Sequence, residues 1–383
     1  MLDELNYNYL SNKLLINLSH MKKLVYILLF LIVSCYSAGN SEFTRIFIEK
    51  NSEIFKILRN NKIQIKLSVI DKNKRFNEYE YNVDANQYFY PASTVKLPIA
   101  LFSLEKLNEH KYLSIETPFM LEDDTLKTTI RRELEKIFIL SDNQASNRLF
   151  EFLGQDYINQ KFVSKKFFES RIFHRLSTTN SSNLNGKRVD FFLNDSVISF
   201  QNKNIAPAKL TLKGIKKGAG YINQMGSLIK EPMNFSEKNF ISINDLHKMI
   251  KILFFPEKFE KFSRFNLTKK QKDLLVKYMS GYPKDFGYNE EEFPHFFNKF
   301  FIYGDKELEF SNSFKIYNKV GLAYGQLTDV AYIINDDISI ILTATIDVNT
   351  NKIYNDDIYD YDLIGFPFLA QLSRGIFRII SNN

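Results

Sequence analysis

Ser93 and Lys96 stand three residues apart in the run Tyr90-Pro91-Ala92-Ser93-Thr94-Val95-Lys96. On a helix this spacing sets a hydroxyl and an amine on one face, about a turn apart, where the amine can take the proton of an attacking oxygen. A lysine does this only when burial or neighbouring positive charge brings its pKa toward neutrality, so the pair predicts an enclosed nucleophilic site. The spacing alone is weak, because Ser-x-x-Lys recurs at Ser19, Ser103 and Ser227. Two more short motifs follow in order, Ser141-Asp142-Asn143 and Lys319-Val320-Gly321. Each is ordinary by itself: Ser-Asp-Asn is a common turn or helix cap, and Lys-x-Gly also occurs at Lys216-Lys217-Gly218. Order and structural context must single them out.

The elements that would position these motifs are legible from hydrophobic periodicity. Residues Asn40 to Asn61 predict an amphipathic opening helix, and Ile63 to Ile70 with Glu78 to Val83 predict a hairpin around a turn at Asp71 to Asn77. An apolar helix is expected from Ser93 through Leu107, with Pro98 early enough to be tolerated. Thr128 to Phe152 reads as helix interrupted at Ser141-Asp142-Asn143. Between residues 160 and 240 the periodicity is weak and Asn, Lys and Ser abound, which predicts loops with short elements. Helical spacing returns over Ile243 to Phe255 and Leu267 to Met279. An aromatic loop, Tyr282 to Phe301, then leads into strands at Phe314 to Val320, Asp329 to Ile334 and Ile338 to Val348, and a helix at Pro367 to Ile380. Strands at both ends with helices between them predict an α/β (α+β) fold. Its antiparallel sheet is formed from both ends of the chain and flanked by helices, with an inserted all-helical lobe.

The three motifs in this order resemble those of the serine β-lactamase and penicillin-binding-protein superfamily, most closely the class A β-lactamases, whose motifs are SxxK, SDN and KTG. The run Ile139 to Asn147 around the second motif and Tyr324 to Ile333 after the third extend the likeness. It covers most of residues 44 to 380 and is loosest between 155 and 240. The resemblance implies that Ser93 attacks an amide or lactam carbonyl to form an acyl-enzyme, with Lys96 as proton acceptor. Ser141 would relay a proton to the leaving nitrogen, and Asn143 would orient Lys96 and bind a substrate amide. Lys319 would meet a substrate carboxylate. The backbone N–H groups of Ser93 and Leu322 would hold the oxyanion, and Gly321 would let the substrate lie along the edge strand.

Two departures bear on activity. Val320 stands where class A enzymes carry a Ser or Thr hydroxyl for the β-lactam carboxylate. For deacylation those enzymes use a glutamate in an ExxLN loop, and the candidate here is Glu231 in Glu231-Pro232-Met233-Asn234, one residue short of that spacing. Ser181 to Asn185 carries a Leu-Asn pair without a glutamate. The first reading is therefore a serine hydrolase cleaving a β-lactam or related amide. A penicillin-binding-protein-like peptidase or esterase with little β-lactamase turnover stays open beside it, as does a non-catalytic cell-wall-binding lipoprotein. The expected ligand is a small β-lactam or a peptidoglycan-derived molecule.

Composition narrows the class further. The chain has 383 residues, 44% of them hydrophobic, enough for one large domain, which is assigned to residues 44–383. A net charge of +7 arises from lysines mixed with many acidic residues, a solvated surface in a chain without a nucleic-acid-binding motif. His20, His110, His174, His247 and His295 are scattered without ligand spacing, and no Gly-rich phosphate loop occurs, so no metal or cofactor is expected. A monomer is expected. From Met21 the chain reads as a secretory signal: Met-Lys-Lys, an apolar run from Leu24 to Val33, then Ser34-Cys35. The apolar run is too short to span a bilayer, which takes roughly 20 residues. Ile32 to Cys35 resembles the bacterial lipobox, which implies a signal peptide over residues 21–34, a lipid anchor on Cys35, a short tether over residues 35–43 and a periplasm-facing location. Residues 1–20 read as an extension ahead of the true start.

Overall fold

Segments that read as strands at opposite ends of the chain pair with one another. In the computed structural model, which describes residues 62–308 and 313–382 together with Arg45, Ile46 and Ile57, β1 (Lys62–Ile70) runs antiparallel to β5 (Ile338–Asp347). The signal, Cys35 and nearly all of the expected opening helix lie outside the described residues. β2 (Phe76–Tyr81) closes the early hairpin on β1, while β3 (Phe314–Ala323) and β4 (Gln326–Asn335) complete the late meander. The resulting five-stranded sheet has the order β3-β4-β5-β1-β2. β4 and β5 are buried almost continuously rather than alternately, because both faces of the sheet are covered.

One face packs on the C-terminal helix α7 (Phe366–Ser381), whose Phe368, Leu369, Leu372 and Ile376 meet Ile65, Leu67, Ile340 and Leu342. The other face carries α5 (Ile243–Phe254) and, beyond it, a lobe built around α1 (Lys96–Asn108). Every residue of α1 from Lys96 to Leu107 is buried, which explains why this helix is apolar on all sides. Its charged residues are paired within the lobe. Lys106 donates to the carbonyls of Phe152 and Leu153 at 2.6 and 2.9 Å, and Glu105 pairs with Lys165 at 2.8 Å. Around α1 lie α2 (Ile130–Ile139), α3 (Asn143–Leu153), α4 (Gln155–Ser164) and α6 (Lys269–Ser280).

The inserted lobe is not purely helical. Pro118–Leu121, Thr128–Thr129, Val189–Phe192 and Val197–Phe200 form a small four-stranded sheet, and Gly220–Ile222 lies between Leu228–Ile229 and Ile353–Tyr354 in another. Strands of four residues or fewer are too short to build a readable alternation. Tertiary packing holds the first of these sheets, with Phe191 centred 5.1 Å from both Phe119 and Phe152.

Phe102 sits at the centre of the lobe, fully buried and edge-on to Phe162 at 5.4 Å. Phe102→Ala leaves a cavity beneath the helix that starts at Lys96, and it should lower unfolding stability in urea by about 3–5 kcal/mol. A loss below about 1 kcal/mol would show that α1 is not the packing centre of the lobe.

Candidate active site

Ser93 sits on a strained turn. Ser93 lies in a 3-10 turn, Ala92–Val95, that feeds directly into α1, so the α-helix proper begins at Lys96 rather than at Ser93. Ala92 is held in the left-handed region at φ +46°, a conformation that persists in an L-residue only when its surroundings impose it. The three-residue spacing then works as the sequence predicts, with Lys96 Nζ donating to Ser93 Oγ at 2.8 Å.

Ser141 and Asn143 approach the same amine from between α2 and α3. Asp142 caps α3 by accepting the Ala145 N–H at 2.7 Å, which turns its neighbours on either side toward Lys96. Ser141, also left-handed at φ +54°, offers its carbonyl and its Oγ to Lys96 Nζ, the latter at 3.3 Å, and Asn143 Oδ1 accepts from it at 2.6 Å. Burial brings the Lys96 pKa from 10.5 down to about 7, against the opposing pull of the Asp142 carboxylate. The amine is therefore surrounded by acceptors and poised to exchange a proton near neutrality.

β3 supplies the third wall. Lys319 is buried, and its Nζ donates to Ser141 Oγ at 2.8 Å and to the Val320 carbonyl at 2.9 Å. Burial, followed by the charge on Lys96, holds its pKa well below the usual lysine range. Ser141 Oγ thus bridges two amines. The sequence assigns Lys319 to a substrate carboxylate, but its amine lies behind Ser141 and Lys319 is not among the residues lining the cavity. Val320 packs into the core shared with α7 and presents no side chain to the cavity.

Gly321 is required by the packing of the chain on itself. A Cβ there would stand 2.6 Å from the Pro91 carbonyl oxygen and 3.0 Å from the Ser93 nitrogen. The glycine is required by the close approach of β3 to the turn that carries Ser93.

Ser93, Asn143 and Leu322 open onto a cavity of about 650 Å³ whose lining also includes Ser177, Tyr324 and Asp357. Glu231 is not brought there: it lies exposed in the short turn between Leu228–Ile229 and Met233–Asn234. The group that faces Asn143 is instead Ser177, whose Oγ accepts from Asn143 Nδ2 at 3.0 Å. No pattern in the sequence marks Ser177, since it sits alone in the weakly periodic stretch. His174 lines the cavity too, with both ring nitrogens engaged: Nδ1 with the Arg175 carbonyl at 2.5 Å, and Nε2 accepting from the Asn239 N–H at 3.4 Å. Burial brings its pKa down to about 4, so it stays neutral and structural.

The loop bearing Ser177 is held by one arginine. Arg175 forms a two-pronged ion pair with Glu151 and donates to the carbonyls of Ser181, Asn183 and Asn185 at 3.3, 2.7 and 3.4 Å. Both partners of the pair are nearly buried. Arg175→Ala strands a buried carboxylate, so it should cost about 3 kcal/mol of stability. It should also release hydrogen-exchange protection across residues 175–185. Unchanged protection would rule out the arginine as the clasp.

With this geometry in view, comparison with solved structures is informative about fold. The TLA-1 extended-spectrum β-lactamase is 13% identical with a TM-score of 0.54, covering 87% of this chain and 99% of its own. A class A β-lactamase from Bacteroides cellulosilyticus DSM 14838 is 11% identical with a TM-score of 0.53, covering 90% and 99%. The penicillin-binding protein PBP-A is 13% identical with a TM-score of 0.51, covering 87% and 97%. No curated protein matches the chain significantly. The model of the beta-lactamase enzyme family matches residues 49–361, and the chain belongs to that family of serine hydrolases.

Proposed function

We propose that this protein is acylated on Ser93 by a β-lactam or a peptidoglycan-derived amide and releases the acyl group slowly, in the manner of a penicillin-binding protein. The observation that carries the reading is the Lys96 amine, 2.8 Å from Ser93 Oγ and brought to a pKa of about 7. In the acylation step Lys96 takes the Ser93 proton as Oγ bonds to the carbonyl carbon. The backbone N–H groups of Ser93 and Leu322 stabilise the oxyanion, and Ser141 passes a proton from the lysines to the departing nitrogen. Lys319 acts through its hydrogen bond to Ser141.

Slow release is supported by the other side of the site. Hydrolysis of an acyl-enzyme needs a base to activate water. Among the described residues, the one carboxylate that lines the cavity is Asp357, and the position facing Asn143 holds the hydroxyl of Ser177. This ranks the penicillin-binding reading above fast β-lactam turnover. Residues 21–34, read as a lipoprotein signal peptide, extend the proposal to an exported protein anchored through Cys35, working where peptidoglycan is built.

Incubation with a fluorescent penicillin should label Ser93 stably, as read by intact-protein and peptide mass spectrometry. Ser177→Glu should shorten the lifetime of the acyl-enzyme by about tenfold or more, by placing a carboxylate beside Asn143. No label on Ser93 would overturn acylation. Rapid nitrocefin turnover by the unaltered protein would overturn slow release.

A further inference from the structure

The cavity continues away from Ser93, along the outer end of β3, to the turn at Tyr324-Gly325 and the segment 355–361. Nothing in the acylation chemistry uses this end. Its rings are fixed by the backbone: Tyr361 Oη accepts the Gly325 N–H at 2.8 Å, and Tyr359 Oη accepts the Asn355 N–H at 2.8 Å. The two rings lie 5.4 Å apart. Tyr324 is held at φ +56° with its ring edge-on to Tyr90 at 5.1 Å.

The acidic residues of the segment are not equivalent. Asp356 accepts from Asn351 Nδ2 and the Ile358 N–H, and Asp360 accepts from Thr350 Oγ1, so both serve the loop itself. Asp357 makes no hydrogen bond or ion pair among the described residues, and it is the member of this set that lines the cavity, with Tyr359 and Tyr361. An unengaged carboxylate beside two tyrosine rings attracts a cation and disfavours an anion. The Lys238 ammonium, 5.8 Å from the Tyr324 ring, repels a cation from its own part of the cavity and so directs it toward Asp357.

We propose that the Asp357–Tyr359–Tyr361 end of the cavity is a subsite for an ammonium group carried on the acyl side of the substrate. The inference rests on the reading of Ser93 as the acylated residue and takes the acyl side chain to run along β3 toward this end of the cavity. A peptide bearing a free amine, such as one built on a diamino acid, has the required chemistry.

Ampicillin and benzylpenicillin test this, since they differ by one ammonium group on the acyl side chain. Binding is measured by calorimetry on Ser93→Ala protein, which cannot be acylated, so the result does not depend on whether the unaltered protein forms an acyl-enzyme. Ampicillin should bind about three- to fivefold tighter, a modest factor because Asp357 is solvent-exposed. The preference should fall to about onefold when Asp357→Asn is added, return with Asp357→Glu, and shrink as salt is raised. Equal affinities in the Ser93→Ala parent, no binding of either penicillin, or a preference that survives Asp357→Asn would overturn the subsite. Failure of the unaltered protein to acylate would instead overturn the proposed function.

Discussion

A buried amine governs this structure. Lys96 is fully enclosed, yet it carries an ionisable group that burial would penalise heavily if it were unpaired and charged. The fold meets this constraint by bringing four acceptor oxygens from two segments to the amine, Ser93 Oγ, Asn143 Oδ1 and the Ser141 backbone and hydroxyl oxygens, while burying it. The same burial that lowers the pKa to about 7 makes the amine a base. Chemistry and packing therefore impose the same requirement on the region between the lobe and the sheet.

Much of the surrounding architecture can be understood as holding those acceptors in place. α1 is buried on all sides so that its first residue can be buried too. Ala92 and Ser141 adopt left-handed backbone conformations that bring a hydroxyl on each side of the amine, and the packing around them sustains the strain. β3 approaches so closely that position 321 must lack a side chain, which brings Lys319 within reach of Ser141. The late meander that carries β3 is in turn fixed by its pairing with β1, so residues from both ends of the chain determine one hydrogen-bond network.

The fold was legible in the sequence wherever periodicity ran long enough. The hairpin at β1 and β2, the helices before and after Ser141-Asp142-Asn143, the late meander and α7 all lie within a few residues of their expected bounds. Ser93, Lys96, Ser141, Asn143 and Lys319 converge as their motifs predict, because each motif couples a chemical group to a local turn that aims it. Leu322 lines the cavity as well. What escaped the sequence depends on contacts between distant residues. The loop at 174–185 takes its shape from one ion pair to α3, and the small sheets of the lobe depend on aromatic packing. Glu231 matched a motif approximately, but that motif had no means of showing that the turn carrying it points away from Ser93. Gly321 has a packing reason that the sequence did not show, because close approach of the chain to itself is invisible before folding.

The most direct measurement of the account is the rate of Ser93 acylation by a penicillin as a function of pH. If neutral Lys96 is the proton acceptor, its reactive fraction grows as pH rises through its pKa. The rate should then climb about tenfold per unit below neutrality and level off with an apparent pKa near 7. A rate still climbing toward pH 10, as for an ordinary solvated lysine, or one indifferent to pH between 5 and 8, would contradict the claim that the buried Lys96 amine is the base.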